Sequence, residues 1–198
     1  MSDTFVCRAC SSPNLQTVLD LGKTPLANGL LSQPCLQEPE PQFPLVLVFC
    51  PECSLVQITE TVPPEVLFRN YLYFSSFSDA MLRHACEIAQ RTIRASILNG
   101  KSLVVEIASN DGYLLQNYQR AGVPVLGIEP AVNIAEAAKE QKGIPTIAEF
   151  FGLVLARQLR AAGYQADVVH ANNVLAHVPD LHGFIGGLRL MLKLRRRK

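Results

Sequence analysis

The second half of the chain alternates short apolar runs with longer stretches whose apolar residues recur at helical spacing. The apolar runs are residues 102–107, 125–128, 144–147 and 166–170. The stretches with helical spacing are residues 113–121, 133–142, 150–162 and 181–193. Strands that alternate with helices indicate βαβ units with right-handed crossovers. The pattern therefore predicts an α/β fold with a sheet of about four parallel strands.

Residues 71–78 break this pattern, because aromatic and hydroxyl side chains alternate there without a helical face. We call them the aromatic-serine segment. Two interpretations are open: a packed surface loop, or an active-site lid that carries the hydroxyls of Tyr71 and Tyr73. The residues that follow, 79–98, have apolar side chains at helical spacing, and the Asn-Gly pair after them is typical of a helix end.

Four of the six cysteines form two Cys-x-x-Cys pairs, Cys7 with Cys10 and Cys50 with Cys53. Two thiolates at this spacing lie on one tight turn, and two such turns supply the four soft ligands of a tetrahedral Zn²⁺. A redox pair or disulfides are the competing interpretations. A single redox pair would not explain the second pair, and the compartment expected for this chain disfavours disulfides. The sequence predicts a closed, structural zinc site in a zinc-ribbon-like module.

Changes in composition divide the chain into three predicted parts. Residues 30–44 hold four prolines and are expected to form an irregular connection within the zinc module, and a Pro-Pro pair follows that module. We predict the zinc-binding module over residues 1–62, linker helices with the aromatic-serine segment over residues 63–100, and a ligand-binding α/β domain over residues 101–198. Cys35 and Cys86 are predicted to be packing residues.

Composition excludes several functional classes. Of the 198 residues, 48% are hydrophobic and 18% charged, which is typical of a folded protein. Lys and Arg total 18 against 17 Asp and Glu, and four of the basic residues lie in the tail, residues 195–198, which we expect to be solvated. Without a basic cluster elsewhere, nucleic acid is a poor candidate partner. No apolar run approaches the roughly 20 residues of a membrane span, and no secretory signal is evident, so we expect a cytoplasmic protein.

The first predicted strand ends in a small polar turn, Glu-Ile-Ala-Ser-Asn-Asp-Gly, at residues 106–112. We call these residues the cofactor turn. In an open parallel sheet, ligands bind at the carboxyl ends of the strands near the point where strand order reverses. The next strand ends in Glu129, whose carboxylate can accept two hydrogen bonds from a ribose diol. The two strand ends together predict a nucleoside site.

The residues of the cofactor turn favour one class of cofactor. A dinucleotide fingerprint needs a small residue at Tyr113, and Asp111 would meet a pyrophosphate with a further negative charge, so NAD is disfavoured. A sulfonium cofactor has a positive centre and no phosphate, which suits an acidic turn. Its pattern, (D/E)xGxGxG, aligns with this chain at Glu106, Ala108, Asn110 and Gly112. The alternative is that Glu106 and Asn110 only cap the following helix.

The residues after the fourth predicted strand add three candidates. In this architecture the end of that strand lies beside the first strand, so Asn172 and Asn173 would face the cofactor and His177 would lie at the mouth of the cleft. A histidine titrates near neutral pH and can assist proton transfer, although a hydrogen-bonded structural role is the alternative. We expect the remaining histidines to be structural, and these are His84, His170 and His182.

Together these motifs resemble the S-adenosylmethionine-dependent C-methyltransferases of deoxysugar biosynthesis. The resemblance includes both Cys-x-x-Cys pairs and the aromatic-serine segment, and it extends over residues 105–112, 127–130 and 171–179. Their order and spacing match across essentially the whole chain. The resemblance implies a Rossmann-like class I methyltransferase sheet, with residues 101–198 as a partial domain for S-adenosylmethionine. It also implies methyl transfer to carbon 3 of a nucleotide-linked 4-keto-6-deoxysugar, with the zinc module helping to frame the cleft.

The resemblance further implies a role for individual residues. Glu129 would bind the ribose, and Asn110 and Gly112 the amino-acid end of the cofactor. Tyr71 and Tyr73 would lie near the sugar, together with the histidine at the mouth of the cleft. A base that removes the proton at carbon 3 gives an enolate, which attacks the sulfonium methyl in line.

The chain also departs from the resembled family, whose members continue with a further strand after Leu192 and a second large domain. We therefore expect a C-terminally truncated enzyme with impaired catalysis, and a fourth strand left as an apolar sheet edge prone to self-association. Two other functions stay open. One is a catalytically inactive module that binds zinc and a partner or the cofactor. The other is a nicotinamide enzyme, which the bulk of Tyr113 disfavours.

Overall fold

The structure is a computed structural model that describes residues 5–27, 29–69 and 71–193. The chain forms two compact units, Met1–Leu67 and Phe68–Lys198. The basic tail predicted to be solvated, residues 195–198, lies outside the described residues. No helix among the described residues is long and apolar enough to cross a bilayer.

The first unit contains an antiparallel three-stranded sheet. Its strands are β1 (Gln16–Thr24), β2 (Phe43–Phe49) and β3 (Val56–Ile58), and β2 lies in the middle. β2 leads directly into the second cysteine pair, which begins at Cys50. The proline-rich connection before β2 contains one 3-10 turn, Gln33–Gln37.

The core of this first unit is very small. Within its described residues, the buried side chains are those of Cys7, Val48, Cys50 and Gln57. A unit of this size with so few buried apolar residues gains too little from burial to fold securely, because small domains bury a small fraction of their surface. Two of the four buried residues are cysteines of the predicted zinc site, which indicates that the metal is a major stabilising element.

Two helices follow β3 in the chain, and the longer one lies in the second unit. Helix α1 (Pro64–Phe68) lies at the boundary between the units, and α2 (Asp79–Ser96) follows a 3-10 turn at Ser75–Phe77. The expected end of α2 at the Asn-Gly pair is wrong. The helix ends earlier because Ile97 adopts a left-handed conformation, φ +52°, which returns the chain so that Leu98 is buried. The N–H of Leu98 then donates to the carbonyl of Ile93.

The rest of the second unit is an α/β arrangement around a parallel sheet. Its elements in chain order are β4 (Val104–Ile107), α3 (Leu115–Arg120), β5 (Val125–Ile128), α4 (Val132–Lys142), β6 (Thr146–Ile147), α5 (Leu153–Ala161), β7 (Val168–His170) and α6 (Leu181–Met191). The strand order is β6-β5-β4-β7, with all pairs parallel. This confirms the predicted α/β fold with four parallel strands.

Alternate residues of the central strand serve the two faces of the sheet. Val104 packs in the cluster that contains Ala85 of α2 and Tyr118 of α3, whereas Val105 packs in the cluster that contains Ala156 of α5 and Met191 of α6. Since successive side chains of a strand point to opposite faces, helices cover both faces of the sheet. From β4 the chain adds β5 and then β6 on one side of the sheet, and β7 lies on the other side of β4, so the strand order reverses at β4. Its carboxyl end is therefore the switch point where ligands bind in such sheets.

Among the described residues, the outer side of β7 is covered only at its beginning. After α6, Leu192 forms a parallel bridge with Ala166, and the N–H of Lys193 donates to the carbonyl of Ala166 at 2.9 Å. The expected sheet edge is therefore partly paired by the residues after α6. Along Val168–His170 the described residues provide a strand partner on the β4 side alone.

Candidate metal centre and cofactor site

The four cysteine sulfurs of the two Cys-x-x-Cys pairs converge in the first unit. The Sγ atoms of Cys7 and Cys53 are 3.5 Å apart, those of Cys10 and Cys50 are 3.6 Å apart, and all four lie within 4.8 Å of one another. A tetrahedron with Zn–S bonds of about 2.3 Å has edges of about 3.8 Å. The donor set and its spacing therefore fit a structural Zn²⁺ with four thiolate ligands.

The two cysteine turns have the same backbone geometry. In each, the residue four positions after the first cysteine donates its N–H back to the carbonyl of that cysteine: Ser11 to Cys7 and Ser54 to Cys50, both at 2.8 Å. Both serines are left-handed, with φ +61° and +63°. The repeated turn directs both cysteines of each pair to one side, as the sequence spacing predicted. Cys35 and Cys86 lie outside this cluster, and neither is fully buried.

A residue that sequence reasoning missed supports the first cysteine turn. Gln57 of β3 is buried, and its Oε1 accepts hydrogen bonds from the backbone N–H of Arg8 at 3.1 Å and from its Nε at 3.3 Å. Burial acts to raise the pKa of Cys7, but hydrogen bonds from the backbone of the same turn and from the Gln57 side chain lower it to about 6. This favours the thiolate form at Cys7. Backbone hydrogen bonds act to lower the pKa of Cys10 and Cys53 as well, but burial and the neighbouring cysteine sulfurs raise the pKa of Cys10 and bring that of Cys53 to about 12.

The cofactor turn has left-handed backbone at three alternate residues. The φ angles are +52° at Ala108, +49° at Asn110 and +75° at Gly112. These are the positions where the (D/E)xGxGxG pattern has its glycines. Asparagine tolerates this conformation better than most residues. A Cβ on Gly112 would lie 2.8 Å from Cγ1 of Ile144, so space as well as conformation requires glycine there.

The carboxylate of Glu129 joins the ends of β4 and β5. One oxygen accepts the backbone N–H of Asn110 at 2.8 Å, and the other accepts that of Ala131 at 2.9 Å. Burial raises the pKa of Glu129, while these two backbone hydrogen bonds act to lower it. Each carboxylate oxygen has a second acceptor position. Glu129 can therefore hold the cofactor turn and still accept hydrogen bonds from a ribose diol, which stays a prediction.

Glu106 at the end of β4 is a buried carboxyl group with an unpartnered oxygen. It is 1% exposed, and its Oε2 has no hydrogen-bond partner among the residues that the structure describes. Its pKa is raised well above the usual value, first by burial and then by the negative charges of Glu129 and Asp111. Three acidic groups so close together favour a ligand with positive charge. A sulfonium cofactor, which also carries an ammonium group, fits this requirement.

The predicted cofactor residues after β7 line a cavity beside the cofactor turn. Asn172 and Asn173 share this space of about 250 Å³ with Tyr113 and with Met81 and His84 of α2. Burial raises the pKa of Tyr113 to about 12, with a further contribution from Glu106, while a hydrogen bond with Asn172 acts to lower it. His84, expected to be structural, thus borders the cavity.

The structure brings two of the predicted catalytic residues together around a third aromatic ring. The ring of Phe68 lies edge-on to Tyr71 at 6.2 Å and to His177 at 6.4 Å between centroids. Sequence reasoning missed Phe68, because it ends a short helix and belongs to no chemical motif. Tyr73, the third predicted catalytic residue, lies apart from this aromatic group among the ring contacts of the described residues. Its carbonyl accepts a hydrogen bond from Asn110 Nδ2 at 3.0 Å, and its side chain is half exposed.

His170 has the structural environment expected for it. Its Nε2 lies 2.8 Å from the hydroxyl of the buried Tyr118, and burial lowers its pKa. A neutral imidazole that shares a hydrogen bond with a buried tyrosine stabilises the sheet at the end of β7. His177 is instead exposed, on the 3-10 turn Leu175–His177.

Two protein families match the chain. Residues 7–68 match the family described as "Putative zinc binding domain", and residues 81–194 match the family described as "Methyltransferase domain". The first range includes all four cysteines of the metal cluster. The second contains the cofactor turn, Glu129 and the whole parallel sheet. These matches agree with the resemblance in the order of a zinc-binding region followed by a methyltransferase region.

Individual relatives match over parts of their own length. The C-methyltransferase NovU of Streptomyces niveus is 31% identical over 94% of this chain and 44% of its own. The ubiquinone biosynthesis O-methyltransferase of Methylobacterium nodulans is 28% identical over 64% of this chain and 49% of its own. The chain spans about half the length of these curated relatives. Magnesium protoporphyrin IX methyltransferase of Synechocystis PCC 6803 has a TM-score of 0.45, with 18% identity over 56% of this chain and 54% of its own.

Proposed function

Because the chain belongs to the methyltransferase domain family, we propose that it binds S-adenosylmethionine at the cofactor turn and Glu129 and methylates a carbon of a nucleotide-linked 4-keto-deoxysugar. The hydrogen bond of 2.8 Å from the Asn110 N–H to Glu129 supports this most directly, because it joins the two strand ends that a nucleoside must meet. Carbon is proposed as the methylated atom because the relative NovU is a C-methyltransferase. We place the reaction in the cytoplasm.

The charges around the cofactor turn define the role of its residues. When bound, the cofactor supplies an electrophilic methyl group on a positively charged sulfur. The positive charge of the cofactor would favour the ionised forms of Glu106, Asp111 and Glu129, and Glu129 accepts hydrogen bonds from the ribose. Ala108, Asn110 and Gly112 let the backbone come close to the amino-acid end, while Asn172 and Asn173 border the same side of the sheet. No phosphate-binding group is needed for such a ligand.

The aromatic group around Phe68 supplies candidates for the proton transfer. We assign the removal of the proton at carbon 3 to His177, whose exposed ring can meet a substrate. Tyr71, and Tyr73 from the same segment, donate hydrogen bonds to the developing enolate oxygen. The electron pair released at carbon 3 forms the new carbon–carbon bond to the methyl group, and the sulfur leaves with its own electron pair.

Calorimetric titration of the zinc-loaded chain with S-adenosylhomocysteine tests the binding step. Wild-type protein should bind one equivalent, and Glu129→Ala should weaken binding at least tenfold. The exposed change Glu136→Ala is the matched control and should leave the affinity unaltered. Absence of binding by the wild type would refute the proposed function.

Methyl transfer to a nucleotide-linked 4-keto-6-deoxyhexose tests the second step, with His177→Ala expected to lower the rate at least a hundredfold. The sequence-based expectation that this 198-residue chain is impaired stays a prediction, which its turnover beside that of a longer relative would check. Tight cofactor binding without any transfer would instead support the inactive binding module. Transfer at ordinary enzyme rates would contradict impairment.

A further inference from the structure

The aromatic-serine segment is attached to the cofactor turn through one asparagine side chain. Asn110 Nδ2 donates to the carbonyl of Tyr73 at 3.0 Å, and Asn110 Oδ1 accepts the backbone N–H of Ser75 at 2.8 Å. The amide thus makes the pair of hydrogen bonds that a neighbouring strand would make. A further contact holds the start of the segment, since Asn133 Nδ2 of α4 donates to the carbonyl of Tyr71 at 2.9 Å.

A second attachment lies one residue further along both the cofactor turn and the aromatic-serine segment. The hydroxyl of Ser76 donates to Oδ2 of Asp111, and the same oxygen is 2.8 Å from Nζ of Lys142 at the end of α4. Asp111 is 3% exposed, and its other oxygen, Oδ1, lacks a hydrogen-bond partner in the described part of the chain. Breaking a buried ion pair on one side leaves an uncompensated charge, so Lys142 is needed to keep this carboxylate in place.

Part of the segment is exposed, so these polar contacts contribute much of what holds it. Ser75 and Ser76 are partly buried toward the cofactor turn, whereas Leu72 and Phe77 are 63% and 80% exposed. A segment with few buried apolar contacts depends on its hydrogen bonds and opens locally at low free-energy cost. The placement of Tyr71 and Tyr73 is therefore sensitive to the state of the cofactor turn.

We propose that Ser76, Asp111 and Lys142 are positioning residues that couple occupation of the cofactor turn to the placement of the aromatic-serine segment. The inference rests on the proposed function. A ligand that orders the backbone of residues 108–112 also orders the two side chains that hold the segment, Asn110 and Asp111. Coupling between two sites is reciprocal, so an attached segment must also strengthen cofactor binding.

Amide hydrogen exchange on the zinc-loaded full chain, with and without S-adenosylhomocysteine, tests this coupling. In the wild type the ligand should slow exchange across residues 71–78 at least tenfold. Ser76→Ala should remove most of that protection, raise exchange of the segment in the free protein and weaken ligand binding about threefold. Ser75→Ala is the matched control, because alanine keeps the backbone N–H that Asn110 accepts. Equal exchange in the two variants would overturn the proposal.

The charge of Lys142 provides a second comparison. Lys142→Arg should keep the ligand-dependent protection. Lys142→Gln should lower the melting temperature, because it leaves Asp111 uncompensated, and it should also lose the ligand-dependent protection when exchange is compared at matched global stability. A loss that follows global destabilisation in both variants would assign Lys142 a merely structural role and refute the coupling.

If the wild type binds no ligand, the proposed function fails, and the free-protein comparison of Ser76→Ala with Ser75→Ala still decides whether the attachment exists. Ligand binding without any change at residues 71–78 refutes the coupling alone.

Discussion

Backbone conformation at single residues shapes the cofactor turn. Ala108, Asn110 and Gly112 are all left-handed, although only one of them is glycine. The periodicity of the strands was enough to predict that Glu106 and Glu129 lie near this turn, because strand ends are placed by apolar runs. Asp111 and Lys142 were not predicted as partners, since they are 31 residues apart and no local pattern links them.

Gly112→Ala should destabilise the protein more than Gly122→Ala does. Both glycines are left-handed, with φ +75° and +72°, so both changes carry the conformational cost of about 1–2 kcal/mol. A Cβ at 112 meets Ile144, whereas one at 122 has no atom within 4 Å, so overpacking adds about 1–3 kcal/mol at 112 alone. Urea unfolding measures the difference. Equal losses would show that space at 112 is not limiting.

Glu106→Gln should raise stability at neutral pH and weaken binding of S-adenosylhomocysteine. The folded pKa of Glu106 lies above its unfolded value, so in the unfolded chain the group loses its proton first as the pH rises. Wild-type stability should therefore fall from about pH 4.5 upward, and the variant should lack that fall, by on the order of 1 kcal/mol. Denaturant unfolding across pH measures this, with the exposed change Glu136→Gln as control. A variant no more stable than wild type at pH 7 would contradict it.

At the scale of elements, the sequence predicts whether a segment is a helix or a strand better than it predicts the residues where that element begins and ends. The strand at 125–128 agrees with β5 at both ends, and the helix at 181–193 agrees with α6 at its start. α2 ends before its Asn-Gly pair because Leu98 is drawn into the core, a tertiary demand that no local signal reveals. β1 was not predicted, since its side chains are almost all exposed and show no apolar alternation.

The zinc unit should lose its sheet when the metal is removed. Cys50→Ser takes away a buried ligand, so zinc content should fall from one per chain to below a tenth, because a structural site gives most of its binding energy to folding. Cys35→Ser, outside the cluster, should keep a full equivalent. Elemental analysis and backbone chemical shifts of β1 to β3 report metal and fold separately. A folded sheet without metal would show that the small apolar core suffices.

At the scale of the whole molecule, the alternation of strands and helices predicts a parallel sheet but leaves several strand orders open. The fourth strand was expected beside the first from the assumed architecture, and the order β6-β5-β4-β7 confirms this. The pairing of Ala166 with Leu192 was not predicted, because the helical spacing of the last apolar residues continues to position 193 and hides the change to extended backbone.

Self-association through β7 is expected to be weak and dependent on concentration. The described residues leave the outer side of Val168–His170 without a strand partner, and an open edge of this kind can pair with another chain. Sedimentation velocity over a dilution series measures it, and dimer should appear at the highest concentrations. His170→Pro, which alters the edge backbone, should reduce the dimer if it still folds; circular dichroism checks folding. A monomer throughout the series would contradict this expectation.

Asn110 illustrates two opposing demands on a single residue. A glycine at 110 would adopt the left-handed backbone without strain, yet it would leave Tyr73 and Ser75 without their partner. The asparagine has a more strained backbone than glycine would have, but its side chain hydrogen-bonds to a loop 35 residues away in the chain. Asparagine in place of the glycine of the motif thus exchanges conformational ease for a side chain that joins two segments distant in sequence.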